Sequence, residues 1–101
     1  MRRAARRDAN HNDIARDVVA IGGGVIDLTD SENAGFDMLV IFSGKLFAVE
    51  VKDGAKPPSK RKLTDNEQAR REMLERLGAS YTVVETFEDV VALRNQALGI
   101  K

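Results

Sequence analysis

Asp37, Glu50 and Lys52 are the residues of this chain whose types and spacing could do chemistry. They stand in two apolar runs, Gly35-Phe36-Asp37-Met38-Leu39-Val40 and Phe47-Ala48-Val49-Glu50-Val51-Lys52, joined across Ser43-Gly44. If that link is a tight hairpin, Phe42 pairs with Lys45, Ile41 with Leu46, Leu39 with Ala48 and Asp37 with Glu50. Directly opposed residues of an antiparallel pair have Cβ atoms roughly 4.5–5.5 Å apart. Side chains alternate faces, so Lys52 shares a face with Glu50. Two carboxylates and an ammonium then converge beside apolar surface. Like charges opposed in this way destabilise a sheet, and a divalent cation between them offsets that cost.

Such a set suits phosphodiester hydrolysis. Mg²⁺ needs hard oxygen ligands in compact octahedral array and keeps some of its waters. A bound cation also lowers the pKa of a water, and positive charge is needed where the transition state gathers negative charge. Asp37 and Glu50 supply carboxylates, the Val51 carbonyl can face the same place, and Lys52 can orient water or neutralise a phosphate oxygen. The chain has no cysteine and one histidine, His11. Thiolate chemistry, Cys-based zinc and a His-rich site are therefore excluded, and an oxygen-bound Mg²⁺ or Mn²⁺ is the metal that fits. Taken alone, Asp37 reads equally well as a residue leading into a strand; its combination with Glu50 and Lys52 on one face favours function.

The elements that must position these residues follow from pattern. Asn10-His11-Asn12-Asp13 looks like a helix start with Asn10 as N-cap, and Ile14, Val18 and Ile21 follow at helical spacing. Gly22-Gly23-Gly24 stops that helix. A short strand is predicted over 25–28, a polar loop over 29–35, and the hairpin strands over about 36–42 and 45–52. Residues 53–63 form a basic loop holding Pro57 and Pro58. Thr64-Asp65-Asn66-Glu67 is a capping box, opening a helix with Ala69, Met73 and Leu77 inward and Gly78 as its stop. A strand over 81–85 and a helix from Thr86-Phe87-Glu88-Asp89 to about Leu98 complete the order α-β-β-β-α-β-α. This order implies an α/β fold, a mixed sheet with helices on both faces.

With 101 residues the chain makes one domain. We expect residues 1–9 to be a flexible basic tail and 10–101 the single folded domain. Aromatic residues are 5% of the chain, too few for single-strand stacking platforms. The net charge is zero, but basic residues cluster at Arg2, Arg3, Arg6 and Arg7 and again from Lys52 to Lys62. Such patches give a local field for a polyanion, although a solvated tail reads as well for the first of them. No apolar run approaches a membrane span or signal peptide, so cytoplasmic is the expected location and no membrane partner is expected.

Phe36-Asp37, then Glu50-Val51-Lys52 after a hairpin, resembles the PD-(D/E)XK nuclease motif, with Phe36 where the motif has proline. The wider chain resembles the small stand-alone, phage-type members of its VRR-NUC branch, from about Arg7 to Leu93. The carriers are Asp13-Ile14, Gly35 to Val40, Glu50-Val51-Lys52-Asp53-Gly54, Pro58-Ser59-Lys60-Arg61-Lys62-Leu63-Thr64 and Gln68. The resemblance implies a restriction-endonuclease-like αβββαβ core plus a C-terminal helix. It implies that Asp37 and Glu50 bind metal and that Lys52 is the catalytic lysine. Gln68 stands for the glutamine that the family carries on its second helix. Asp13 stands, one methylene shorter, for an acid on the first helix that touches the metal through water. Beside such a site, Lys56, Ser59, Lys60, Arg61 and Lys62 would grip DNA phosphates. The implied activity is Mg²⁺- or Mn²⁺-dependent DNA endonuclease, leaving 5′-phosphate and 3′-hydroxyl ends. Branched or four-way-junction DNA is the implied substrate, cut by a homodimer in the cytoplasm of a bacterium or a phage-infected host. The alternatives are a nucleic-acid-binding module with a relic nuclease site, and an oligomeric scaffold whose charges are only surface.

Overall fold

The structure is a computed structural model that describes residues 10–31, 33–54, 56–57, 59 and 62–100. The tail 1–9, with Arg2, Arg3, Arg6 and Arg7, lies outside the described residues, as do Pro58, Lys60 and Arg61. The elements run α1 (His11–Ala20), β1 (Gly24–Asp27), β2 (Met38–Phe42), β3 (Lys45–Val51), α2 (Asp65–Arg76), β4 (Tyr81–Val84) and α3 (Phe87–Leu98). The strands lie in the order β1-β2-β3-β4. β1 and β3 run antiparallel to β2, and β4 lies parallel to β3 after the α2 crossover. The expected α/β fold, a mixed sheet flanked by helices with a C-terminal helix, is the one observed.

The hairpin turn fixes the register. Ser43 and Gly44 both have positive φ, 52° and 79°, the combination whose twist matches that of paired strands. Phe42 therefore pairs with Lys45, Ile41 with Leu46, Leu39 with Ala48 and Met38 with Val49. Met38, Val40 and Phe42 point with Phe47, Val49 and Val51 into the core, where Ile14 and Val18 of α1 and Val90, Leu93 and Ala97 of α3 meet them. The opposite face carries Leu39, Ala48, Glu50 and Lys52 (β3 ends one residue before the last), and α2 packs against this sheet at β4. One face is thus a closed apolar core, and the other carries the charged residues.

Two local expectations are corrected. Asn10 precedes α1 but makes no side-chain cap, because its amide is drawn to carbonyls of the sheet instead. On α2 only Met73 of the expected inward stripe Ala69, Met73 and Leu77 is half-buried. Ala69 is exposed and Leu77 is 73% exposed, while Glu67, Arg70, Arg71, Met73 and Leu74 are half-buried. Polar contacts at Glu67 and Arg70, together with Met73 and Leu74, set the rotation of the helix. Both capping boxes form, at Thr64/Glu67 and Thr86/Asp89. No helix among the described residues is long and apolar enough to cross a membrane.

Candidate active site

Asp37 sits immediately before β2, where the ladder breaks its regular step. Its N–H donates to Val49 O at 2.9 Å, and its Oδ2 accepts from Val51 N–H at 2.8 Å. The carboxylate thus takes the place of a ladder bond, which holds it against β3 beside Glu50. In a strand, the N–H and C=O of one residue face the same neighbour. The Val51 carbonyl therefore faces the Asp37 side too.

The loop leading into Asp37 is clamped from two elements. Gly35 has φ 78°, and a Cβ there would lie 2.6 Å from Arg70 Cβ. Arg70 of α2 donates through Nη2 to Asn33 O at 2.6 Å. The buried Tyr81 hydroxyl of β4 donates to Gly35 O at 2.8 Å, and its ring meets Phe36 edge-on at 6.3 Å. Burial, then the nearby acids Glu50, Glu67 and Asp37, push the Tyr81 hydroxyl well above its usual range, so it stays a donor.

Glu50 and Lys52 are 4% and 8% exposed, which for charged side chains demands partners. Lys52 Nζ lies 3.3 Å from Glu50 Oε2 and 3.1 Å from Glu67 Oε1. Glu67 Oε1 also accepts from Thr64 N–H at 2.9 Å. The capping box at the head of α2 therefore aims the Glu67 carboxylate at the lysine. Burial pushes the Glu50 carboxyl up to about 9, helped by its hydrogen bond to Glu67 and by the charges of Asp37 and Glu67, with Lys52 opposing. Burial alone would pull Lys52 down, but the bond to Glu67 and the two carboxylates outweigh it and hold it above its usual range. Burial alone would likewise raise Glu67; its bonds to Glu50, Thr64 and Lys52 outweigh this and lower it. These environments favour a proton on Glu50, a charge on Glu67 and an ammonium at Lys52.

An open cleft of about 140 Å³ is lined by Asp37, Glu50 and Glu67 together with Thr29, Thr64 and Asn66. The structure thus brings Asp37, Glu50 and Lys52 together with the backbone of Val51. It does not bring in Asp13 or Gln68. Asp13 is exposed and paired with Arg16 at 3.1 Å. Gln68 is exposed and donates to Glu72 Oε2 at 3.0 Å, while the preceding residue, Glu67, faces the cleft. Lys56, Ser59 and Lys62 are exposed in the loop after β3. Glu67 was read from the sequence only as a capping residue. The signal for more was its N3 position, which keeps the side chain at the head of a helix entered directly from the β3 loop.

No family model matches the sequence, and no curated protein does. Among solved structures, one described as a VRR_NUC domain aligns with a TM-score of 0.59 and 30% identity, over 81% of this chain and 87% of that one. The expected resemblance and the nuclease-domain fold are therefore both found. The chain belongs to the VRR-NUC family.

Proposed function

We propose that the chain is a divalent-metal-dependent DNA endonuclease, with Asp37, Glu50 and Lys52 as its catalytic set. The observation that carries this reading is the buried Glu50–Lys52 pair at 3.3 Å beside the fixed carboxylate of Asp37. A merely structural pair has no need of a second and third carboxyl group, Asp37 and Glu67, around it.

The donor set fits a hard cation. Among the described residues no three His, Cys, Asp or Glu side chains group into a full ligand set. Two carboxylates, Asp37 and Glu50, with the Val51 carbonyl match an ion that keeps several waters, as Mg²⁺ and Mn²⁺ do. Burial is the first cause of the raised proton affinity of Glu50; the repulsion from Asp37 and Glu67 that adds to it is the part a cation would relieve. When bound, such a cation neutralises charge at the scissile phosphate and acidifies a water. The chain's own part is as follows. Lys52, an ammonium at neutral pH, acts as donor and counter-charge to the phosphate rather than as a base. A water oxygen forms the new P–O bond as the bond to the 3′ oxygen breaks. The proton shed by the water is lost to solvent, and the 3′ oxygen takes one up. The products are a 5′-phosphate and a 3′-hydroxyl.

Lys56, Ser59, Lys60, Arg61 and Lys62 grip the flanking phosphates in this reading, and Asp13 and Gln68 act only if the substrate draws them in. Branched DNA is the substrate and a homodimer the working form. Support for the dimer comes from the sheet face that carries Glu50. Ile26 and Leu46 lie there 50% and 61% exposed, flanking the half-buried Leu39 and Ile41. Incubation with duplex, flap and four-way-junction DNA in Mg²⁺ or Mn²⁺ tests the reading. Cleavage lost in Glu50→Ala supports it, and failure to cut any of the three sinks it.

A further inference from the structure

Asn10 stands half-buried before α1 and sends its amide away from that helix. Nδ2 donates to Lys52 O at 3.0 Å and to Glu85 O at 2.9 Å. These two carbonyls lie just past the C-terminal ends of the neighbouring parallel strands β3 and β4. Lys52 N–H donates to Val84 O at 3.1 Å. In a regular parallel ladder, the next rung would run from Thr86 N–H to Lys52 O. Thr86 cannot supply it, because it caps α3 and its N–H goes to Asp89 Oδ2 at 3.2 Å. Asn10 supplies the missing donor from another element. Its own Oδ1 is buried with no hydrogen-bond partner. A flipped amide would set that oxygen against two carbonyl oxygens, so the hydrogen bonds decide its orientation.

We propose that Asn10 is a positioning residue for Lys52. It fixes the peptide unit just past the end of β3, so that Nζ falls between Glu50 and Glu67. Lys52 is where the chain leaves the sheet, and its main chain is otherwise tied there by the bond to Val84. The Nζ contacts of 3.3 and 3.1 Å leave little room for that unit to shift. This inference rests on the catalytic reading of Lys52 given above. A displacement of about 1 Å at a reacting group costs up to about 100-fold in rate.

The test uses Asn10→Asp, which keeps the shape and removes both donors, and Asn10→Ala, which adds no charge beside the carbonyls. Val18→Ala is the control, loosening α1 through its packing without touching the amide. The expected result is a kcat lower by about 10- to 100-fold in both Asn10 variants. KM and Mn²⁺ affinity stay unchanged, since Asp37, Glu50 and the basic loop are untouched. Val18→Ala keeps its kcat despite a lower Tm. Wild-type kcat in the Asn10 variants, or a kcat that tracks Tm across all three, overturns the proposal. A readout without substrate separates this inference from the nuclease reading. The ammonium of Lys52, assigned with Lys52→Arg, gives a ¹H–¹⁵N signal in slow exchange with water. Asn10→Asp and Asn10→Ala should broaden or shift it. An unchanged signal overturns the positioning role even if the wild type cuts no DNA.

Discussion

On the proposed reading, a cation held by Glu50 competes with a proton there, and the raised proton affinity of that carboxyl sets the size of the competition. Burial and the surrounding acids push the Glu50 carboxyl up to about 9. Below that value each pH unit weakens apparent metal affinity about tenfold, or about 1.4 kcal/mol. At pH 7 the site lies about two units below the plateau, so affinity is about 100-fold weaker than at alkaline pH. Calorimetric titration with Mn²⁺ in buffers of different ionisation enthalpy should count about one proton released per ion at neutral pH. Glu50→Gln should bind weakly, release no proton and lose the slope. The same shift sets a stability trend. The folded value lies above the unfolded one, so the group's contribution is full below about 4.5 and is lost as pH rises towards about 9. Metal-free Glu50→Gln should therefore gain Tm relative to the wild type as pH rises from about 5 to about 8. Affinity that is flat between about pH 6.5 and about 8.5, with no proton release, would refute the reasoning.

Other perturbations read other parts of the account. Gly35→Ala places a Cβ 2.6 Å from Arg70 at φ 78°; it should cost about 1–3 kcal/mol in thermal unfolding and weaken Mn²⁺ binding by displacing Asp37. Thr64→Ala removes the cap that holds Glu67; it should cost about 1 kcal/mol by denaturant unfolding. The Thr64 N–H that holds the Glu67 carboxylate is backbone and survives the substitution, so cleavage should slow no more than the lost stability explains. Leu46→Lys puts charge on the exposed part of the sheet face; if the proposed dimer forms there, light scattering should show the wild type as a dimer and the variant as a monomer, with the monomer fold unchanged by circular dichroism.

The hairpin was legible because a two-residue turn with Gly44 admits one register. That register is also what brings Glu50 and Lys52 to one face. Capping boxes at Thr64 and Thr86 were legible for a similar reason: their bonds close within a few residues. What escaped the sequence is long-range. Asn10 resembles an N-cap locally, yet its amide goes to carbonyls 42 and 75 positions away. Of Ala69, Met73 and Leu77 only Met73 lies half-buried on the inner side of α2, because Glu67 and Arg70 also make contacts that orient the helix. The same rotation turns Gln68 outward and Glu67 toward the site. Apolar spacing cannot reveal a helix docked by its charges. Counting places Asp37 opposite Glu50, but the paired register stops at Met38 and Val49; Asp37 instead bonds Val49 O through its N–H and replaces a ladder bond to Val51 with its side chain, a detail no alternation pattern encodes.

We propose that Asp37, Glu50 and Lys52 hydrolyse DNA with a divalent cation. The most direct measurement is cleavage of end-labelled four-way-junction and duplex DNA by wild type and Glu50→Ala, with Mg²⁺ or Mn²⁺ and with chelator. The account predicts 5′-phosphate products from the wild type with metal, none with chelator, and none from Glu50→Ala. Cleavage that persists undiminished in Glu50→Ala, or in chelator, would contradict it.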